Sequence, residues 1–215
     1  MARIHSIHRG KAEPLAGTDR WSAIRKVVVD GPVEVGRLGI EGDTQVDTRH
    51  HGGPFKALCA YCTTYYDDWK ALGLVMPLGA FGENIAIDGL RDEDVCVGDV
   101  YAIGDVVTAR VTGPRVPCGN LSAHWGRSDF QLIVERERKT GFCLAMEQTG
   151  TMRAGDEFRL LKRPAPQWNL PAFWDAFSKR NNQEQKRMIA VTIPGIDPYW
   201  EKRAARPDPA VTVDG

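Results

Sequence analysis

The stretch GPRVPCGN, Gly113–Asn120, places a guanidinium, a thiol and an amide in one short loop. Pro114 and Pro117 each fix φ, so the loop is stiff. A thiolate beside a cation has a lowered pKa and makes a good metal ligand or nucleophile. Cys118 and Arg115 are that pair here. A soft thiolate suits a soft metal centre. Arg115 offers a planar fork of donors to phosphate or carboxylate, and the loop amides could add an anion-binding nest. The plainer alternative is a structural cysteine buried beside a turn.

A second stretch, RHHGGPFKALCAYC, holds His50, His51, Gly52, Gly53, Lys56, Cys59 and Cys62. Two histidines with a Cys-x-x-C invite a zinc reading, but a structural zinc needs four ligands in compatible geometry. Cys59 and Cys62 fall in a strand-like run, where residues three apart point to opposite faces. They read better as buried strand cysteines. His51, followed by two glycines, is either aimed into a cleft by tight backbone or is a solvated loop histidine. Lys56 could meet a phosphate as a point charge, or simply lie along the surface.

Two acidic positions complete the candidates. Glu41 and Asp43 flank Gly42 in GIEGDTQ, a spacing that suits a β-turn rather than a calcium loop. Glu83 and Asn84, in AFGENIAI, sit at the mouth of a strand. A carboxylate there could orient a histidine or act as a general acid, or merely start the strand.

These groups need a scaffold. Lys plus Arg equals Asp plus Glu, 28 each, so an anion must be held by a local pocket and not by the overall field. No nucleic-acid polymer and no membrane partner is expected. The first residues, MARIHSIHRGKAEPLAG, lack an apolar stretch of signal-peptide length. The five cysteines are odd in number and irregularly spaced, so a reducing cytoplasm is the expected setting.

Short β-like runs punctuated by glycine fill residues 1–163: SAIRKVVVD, KALCAYC, ENIAI, VVTARV, GFCLAME and EFRLLKR. Such runs with frequent turns suggest a barrel or sandwich. TTYYDDWKALG and SDFQLIVERERKTG read as two interspersed helices. PAPQWNLP then connects to a helical segment, residues 164–206. Asn169 and Asp197 are candidate N-caps there, with Pro198 at a first helical position. Its aromatic side chains could pack on the β part or on a second subunit, which makes a homodimer an open possibility. Residues 207–215 read as a frayed tail.

With these motifs in hand, the chain resembles bacterial MOSC-domain proteins of the YiiM type. The resemblance rests on GIEGDTQVDTRHHGGPFKALCAY, FGENIAIDGL, VGDVYAIGDVVTARVTGPRVPCGNL and the short helical C-terminus. It implies a mainly β fold, a MOSC-like β-barrel with interspersed helices followed by a small three-helix extension. It further implies a molybdenum cofactor, molybdopterin, with Cys118 of the PRxPC loop as the protein ligand to the metal. By motif His51 maps to the pocket histidine and Glu83 to the glutamate, with Glu41 as the alternative. Arg115, Asn84, Lys56 and Asn120 would hold the cofactor. The implied activity is reduction of N-hydroxylated compounds, such as hydroxylaminopurine-type bases and amidoxime-like substrates. Electrons would come from a separate flavoprotein-type reductase. A non-catalytic carrier of cofactor or sulfur is the alternative. Two features depart from the pattern: Lys56 stands where some relatives have arginine, and Cys62 completes a Cys-x-x-C foreign to the family.

Overall fold

The computed structural model describes residues 1–48, 50–178 and 183–206. Among the described residues, thirteen strands follow one another: β1 (Arg3–Gly10), β2 (Glu13–Pro14), β3 (Trp21–Ser22), β4 (Lys26–Val28), β5 (Val33–Gly36), β6 (Gly39–Ile40), β7 (Leu58–Cys62), β8 (Ile85–Asp88), β9 (Val100–Ile103), β10 (Val107–Pro114), β11 (Phe142–Gln148), β12 (Gly150–Met152) and β13 (Phe158–Lys162). Six helices accompany them among the described residues: α1 (Thr64–Ala71), α2 (Gly119–His124), α3 (Phe130–Glu137), α4 (Leu170–Ser178), α5 (Gln183–Thr192) and α6 (Pro198–Ala205).

Eight strands form one mixed sheet in the order β13-β9-β10-β11-β7-β8-β1-β4. All neighbours are antiparallel except β7 and β8, which run parallel. Among the described residues the expected closed barrel is not found. The start of β1 and the start of β13 approach each other through a single bridge, Arg3 to Glu157, and backbone bonds of 2.9 Å from Ile4 N to Asp156 O and from Phe158 N to Ala2 O. No ladder follows from that bridge. β1 is bulged between Ile4 and Ser6, and its far end turns to pair with β4, which leaves β4 as a free edge.

The core combines buried residues of this sheet with those of the helices. Tyr61 and Phe81 stack at 4.2 Å, Trp69 packs on Phe81 at 5.7 Å, and Trp69 Nε1 donates to Tyr61 Oη at 2.7 Å. Each fully buried ring of this kind contributes on the order of 2–3 kcal/mol. α1 ends before Gly73, whose φ of 81° carries the chain into the next turn.

The C-terminal helices dock on the sheet. Asn169 Oδ1 accepts from Ala172 N at 3.0 Å at the start of α4, and Asp197 Oδ1 accepts from Tyr199 N at 2.8 Å at the start of α6. Phe173, Phe177 and Trp200 pack with ring centroids 4.8–5.1 Å apart. They join the same buried cluster as the sheet residues, so one core spans both parts. Residues 179–182 and the expected tail, 207–215, lie outside the described residues.

Candidate functional site

The site is a cavity of about 360 Å³ between the loop after β10, the loop before β7 and the start of α6. Cys118 is the residue before α2, in extended conformation (φ −139°, ψ 167°). The rigid loop begins with Arg115 N donating to Gly141 O at 3.0 Å. Burial alone would raise the Cys118 thiol. The hydrogen bond and charge of His51, the charge of Arg115 and the Asn120 amide outweigh it, and the pKa falls to about 7. A thiol so tuned carries thiolate at neutral pH.

His51 owes its place to backbone. Its N–H donates to Asp47 O at 2.8 Å. Gly53, at φ 82°, donates to Gln45 Oε1 at 2.9 Å. A Cβ on Gly52 would run into the same Gln45 side chain. The two glycines therefore fold the loop tightly enough to set the imidazole in the same cavity as the thiol, where it lowers the thiol pKa.

Arg115 carries a buried Nη1 with no hydrogen-bond partner. A buried guanidinium nitrogen without an acceptor is costly to fold. Its position in the cavity wall marks where an anion would satisfy it.

The other sequence candidates fall into different places. Asn120 lines the cavity, and its backbone amide, two residues beyond Cys118, helps to hold the thiol pKa down. Lys56 also lines it, but its Nζ is held by His50 O at 3.0 Å and by Asp197 Oδ2 at 3.1 Å. Asn84 lines the cavity with its amide engaged by protein: Oδ1 accepts from Cys59 N at 3.1 Å, and Nδ2 donates to Asp43 Oδ2 at 2.9 Å.

Glu83 does not line the cavity, against the expectation that it faces the pocket. It is fully buried; its carboxylate accepts from Tyr66 Oη, from Gly79 N at 2.7 Å and from Phe81 N at 3.1 Å. Burial holds its pKa above the ordinary carboxylate value despite these donors. The reason is local: the 79–82 turn folds back over the side chain two residues ahead of β8. The alternative, Glu41, is exposed and does not line the cavity either.

Cys59 and Cys62 point to opposite sides of β7. Cys59 lines the cavity, while the buried Cys62 sulfur contacts Asp92 Oδ1 at 3.8 Å.

Lys26, Trp21, Tyr199 and Trp200 escaped the sequence reading as lining residues, and Asp43, read there only as part of a turn, also lines the cavity. Lys26 Nζ and Asp43 form an ion pair at 2.5 Å with side chains only 7% and 5% exposed. Gly10 N also donates to Asp43 Oδ1 at 2.7 Å. Tyr199 and Trp200 of α6 form one wall, and Trp21, 58% exposed, stands at the rim. The proximity of KVVVD to GIEGDTQ, or of α6 to the GPRVPC loop, is set by long-range packing that no local pattern encodes.

A family model described as the MOSC domain matches residues 47–159, which include His51, Arg115 and Cys118. The chain belongs to the MOSC domain family. Within it, this MOSC protein is of the YiiM type. YiiM of Escherichia coli K12 is 36% identical over 148 residues, 66% of this chain and 65% of that protein. YflK of Bacillus subtilis is 36% identical over 164 residues, covering 74% of this chain and 73% of its own. The crystal structure of YiiM from Geobacillus stearothermophilus superposes with a TM-score of 0.79 at 29% identity, covering 95% of this chain and all of that one. A protein named reductase from Gibberella moniliformis is 36% identical over 160 residues, and this MOSC protein spans only 28% of its length.

Proposed function

We propose that this chain is a molybdenum-cofactor-dependent reductase of N-hydroxylated compounds, supplied with electrons by a separate flavoprotein-type reductase. The observation that carries the reading is the pairing of a thiol at about pKa 7 with an unsatisfied buried guanidinium in one cavity. Cofactor and residues fit chemically. Cys118 would bind the metal through sulfur. Arg115 would hold the cofactor's phosphate with its unpartnered Nη1, and Asn120 would line the same end. Lys56 and Asn84 act through the cavity wall, because their polar atoms are already engaged.

When bound, the cofactor supplies two-electron redox chemistry at its molybdenum. Reduction of an N–OH group also consumes two protons and releases water. His51 lines the cavity with Cys118 and lowers the pKa of its thiol, and it delivers a proton from a ring nitrogen to the substrate nitrogen or the departing oxygen. With Glu83 turned into the core, no glutamate shares that task. Tyr199 and Trp200 limit water on the α6 side, and Trp21 borders the entrance. No helix among the described residues is long and apolar enough to cross a membrane, and a cytoplasmic setting is part of this proposal.

Elemental analysis of protein made in a cofactor-competent host tests the reading, with Cys118→Ala in parallel. Near-stoichiometric molybdenum that disappears in the variant supports it, together with reduction of a hydroxylaminopurine by the loaded protein. Equal molybdenum in both samples removes Cys118 as ligand. Bound molybdenum without turnover by any electron donor leaves the carrier alternative.

A further inference from the structure

Three cysteines line the cavity, and two of them have no part in the chemistry above. Cys59 on β7 and Cys143 on β11 stand directly opposite each other in an antiparallel ladder, between the pairs Phe142–Ala60 and Leu144–Leu58. Residues in direct register place their side chains on one face of the sheet, and here both face the cavity.

The backbone shows what kind of pair this is. Cys59 N donates to Asn84 Oδ1 at 3.1 Å, and Cys59 O accepts from Asn84 N at 2.7 Å. Both of its polar groups therefore point away from β11. On the other strand, Cys143 O accepts from Thr112 Oγ1 at 3.2 Å, on the β10 side. The two cysteines are thus a non-hydrogen-bonded pair, whose Cα atoms lie about 4.5 Å apart and whose side chains approach most closely. A disulfide spans Cα separations of roughly 4.4–6.8 Å. All five cysteines are free in the structure.

We propose that Cys59 and Cys143 form an oxidation site, a dithiol that a peroxide entering the cavity converts into an intramolecular disulfide. The balance is simple. One thiolate attacks a peroxide oxygen, the O–O bond breaks, and a sulfenic acid and one water result. The second thiolate attacks that sulfur, the S–S bond forms, and the second oxygen leaves as water. The two cysteines together lose two electrons and two protons, and the peroxide gains them. A dithiol reductant reverses the bond by exchange.

Burial pushes the Cys59 thiol up to about 11 and the Cys143 thiol higher still, so Cys59 is the more easily ionised of the two. The positive charge of Arg115 opposes that rise in both. The site should accordingly oxidise more slowly than Cys118. It does not depend on the reductase reading, since neither sulfur is assigned to the cofactor.

The test uses the whole protein treated with hydrogen peroxide, then denatured, alkylated, digested and mapped by mass spectrometry. The expected result is a Cys59–Cys143 linked peptide that dithiothreitol removes. It persists in Cys118→Ala and Cys62→Ser and is lost in Cys59→Ser. The proposal is overturned if both thiols still alkylate fully after Cys118 has been oxidised. A Cys59–Cys118 or Cys118–Cys143 link in place of the expected one also overturns it. Because the decisive measurement is on the unaltered chain, a variant that folds poorly does not blur the outcome.

Discussion

Lys56 Nζ lies 3.1 Å from Asp197 Oδ2, and this ion pair ties the turn behind the HGG loop to the cap of α6. The side chains are 19% and 9% exposed, so the pair is largely shielded from solvent. Sequence alone leaves Lys56 between a phosphate contact and a surface lysine; the fold puts it in the cavity wall, gives its charge an internal partner, and in doing so docks the helix that walls the cavity.

Replacing Asp197 should separate the two roles of its carboxylate. Asp197→Ala loses both the cap on Tyr199 N and the partner of Lys56. A loss of about 2–4 kcal/mol is expected from these two mechanisms together. Asp197→Asn keeps a good cap and should cost less. Urea midpoints of the two variants decide the matter; equal losses would mean that the ion pair contributes nothing.

Arg115 should behave as a binding residue kept at the expense of stability. Its Nη1 is buried without a partner, so Arg115→Met should leave the melting temperature unchanged or raise it. The same variant should retain less than roughly a tenth of the bound cofactor, since a hydrogen bond to a charged group is worth about 1.5–3 kcal/mol. Thermal unfolding and pterin content measure the two sides. A variant that melts much earlier yet loads normally would reverse the assignment.

Glu83 should matter to folding and not to the contents of the cavity. Glu83→Gln keeps an acceptor for part of the 79–82 turn but presents an amide to donors that a carboxylate satisfied. A loss of about 1–3 kcal/mol is expected, with molybdenum content per folded molecule unchanged. Denaturant melts beside elemental analysis would expose a direct role if loading fell while stability held.

His8 gives a pH signature. It is fully buried, and burial lowers its pKa from 6.5 to about 4. Between those values the unfolded chain takes up a proton that the folded chain refuses. Stability therefore falls as pH falls from 6.5 towards 4, by up to about 3 kcal/mol from this group. Comparing unfolding at pH 7 and pH 4.5, in the native chain and in His8→Gln, isolates the contribution. An equally steep pH dependence in both would assign it elsewhere.

Gly113 is a backbone requirement. Its φ is 151°, and an added Cβ would collide with the Trp200 indole. Gly113→Ala should destabilise by more than about 1 kcal/mol and loosen α6 from the cavity. A shift in tryptophan fluorescence accompanying the lower melting point would report both.

What could be read from sequence follows from how local each feature is. The loops of Cys118, Arg115 and His51 were legible as stiff segments because prolines and glycines fix them from within, and the structure brings those loops to one cavity. β7, β10, β11 and β13 were legible as apolar runs between turns. β1 was not, because its inward positions include Ser6 and His8 beside Ile4, which hides the alternation. Openness of the sheet depends on register between β1 and β13, more than 150 residues apart in the chain, and no motif carries that. Glu83 shows the same limit at short range: its identity and position at a strand mouth are plain, but the direction it faces is chosen by the turn before it.

The walls of the cavity come from distant parts of the chain, from Trp21 through to Tyr199 and Trp200. During synthesis, the thiol and guanidinium of the GPRVPC loop emerge from the ribosome some eighty residues before the helix that shuts their pocket on one side. A ligand arriving in that interval would meet a half-built vessel and diffuse away. Stable filling has to wait until α6 has been translated and has settled against Gly113, so the supply of ligand must outlast translation rather than keep step with it.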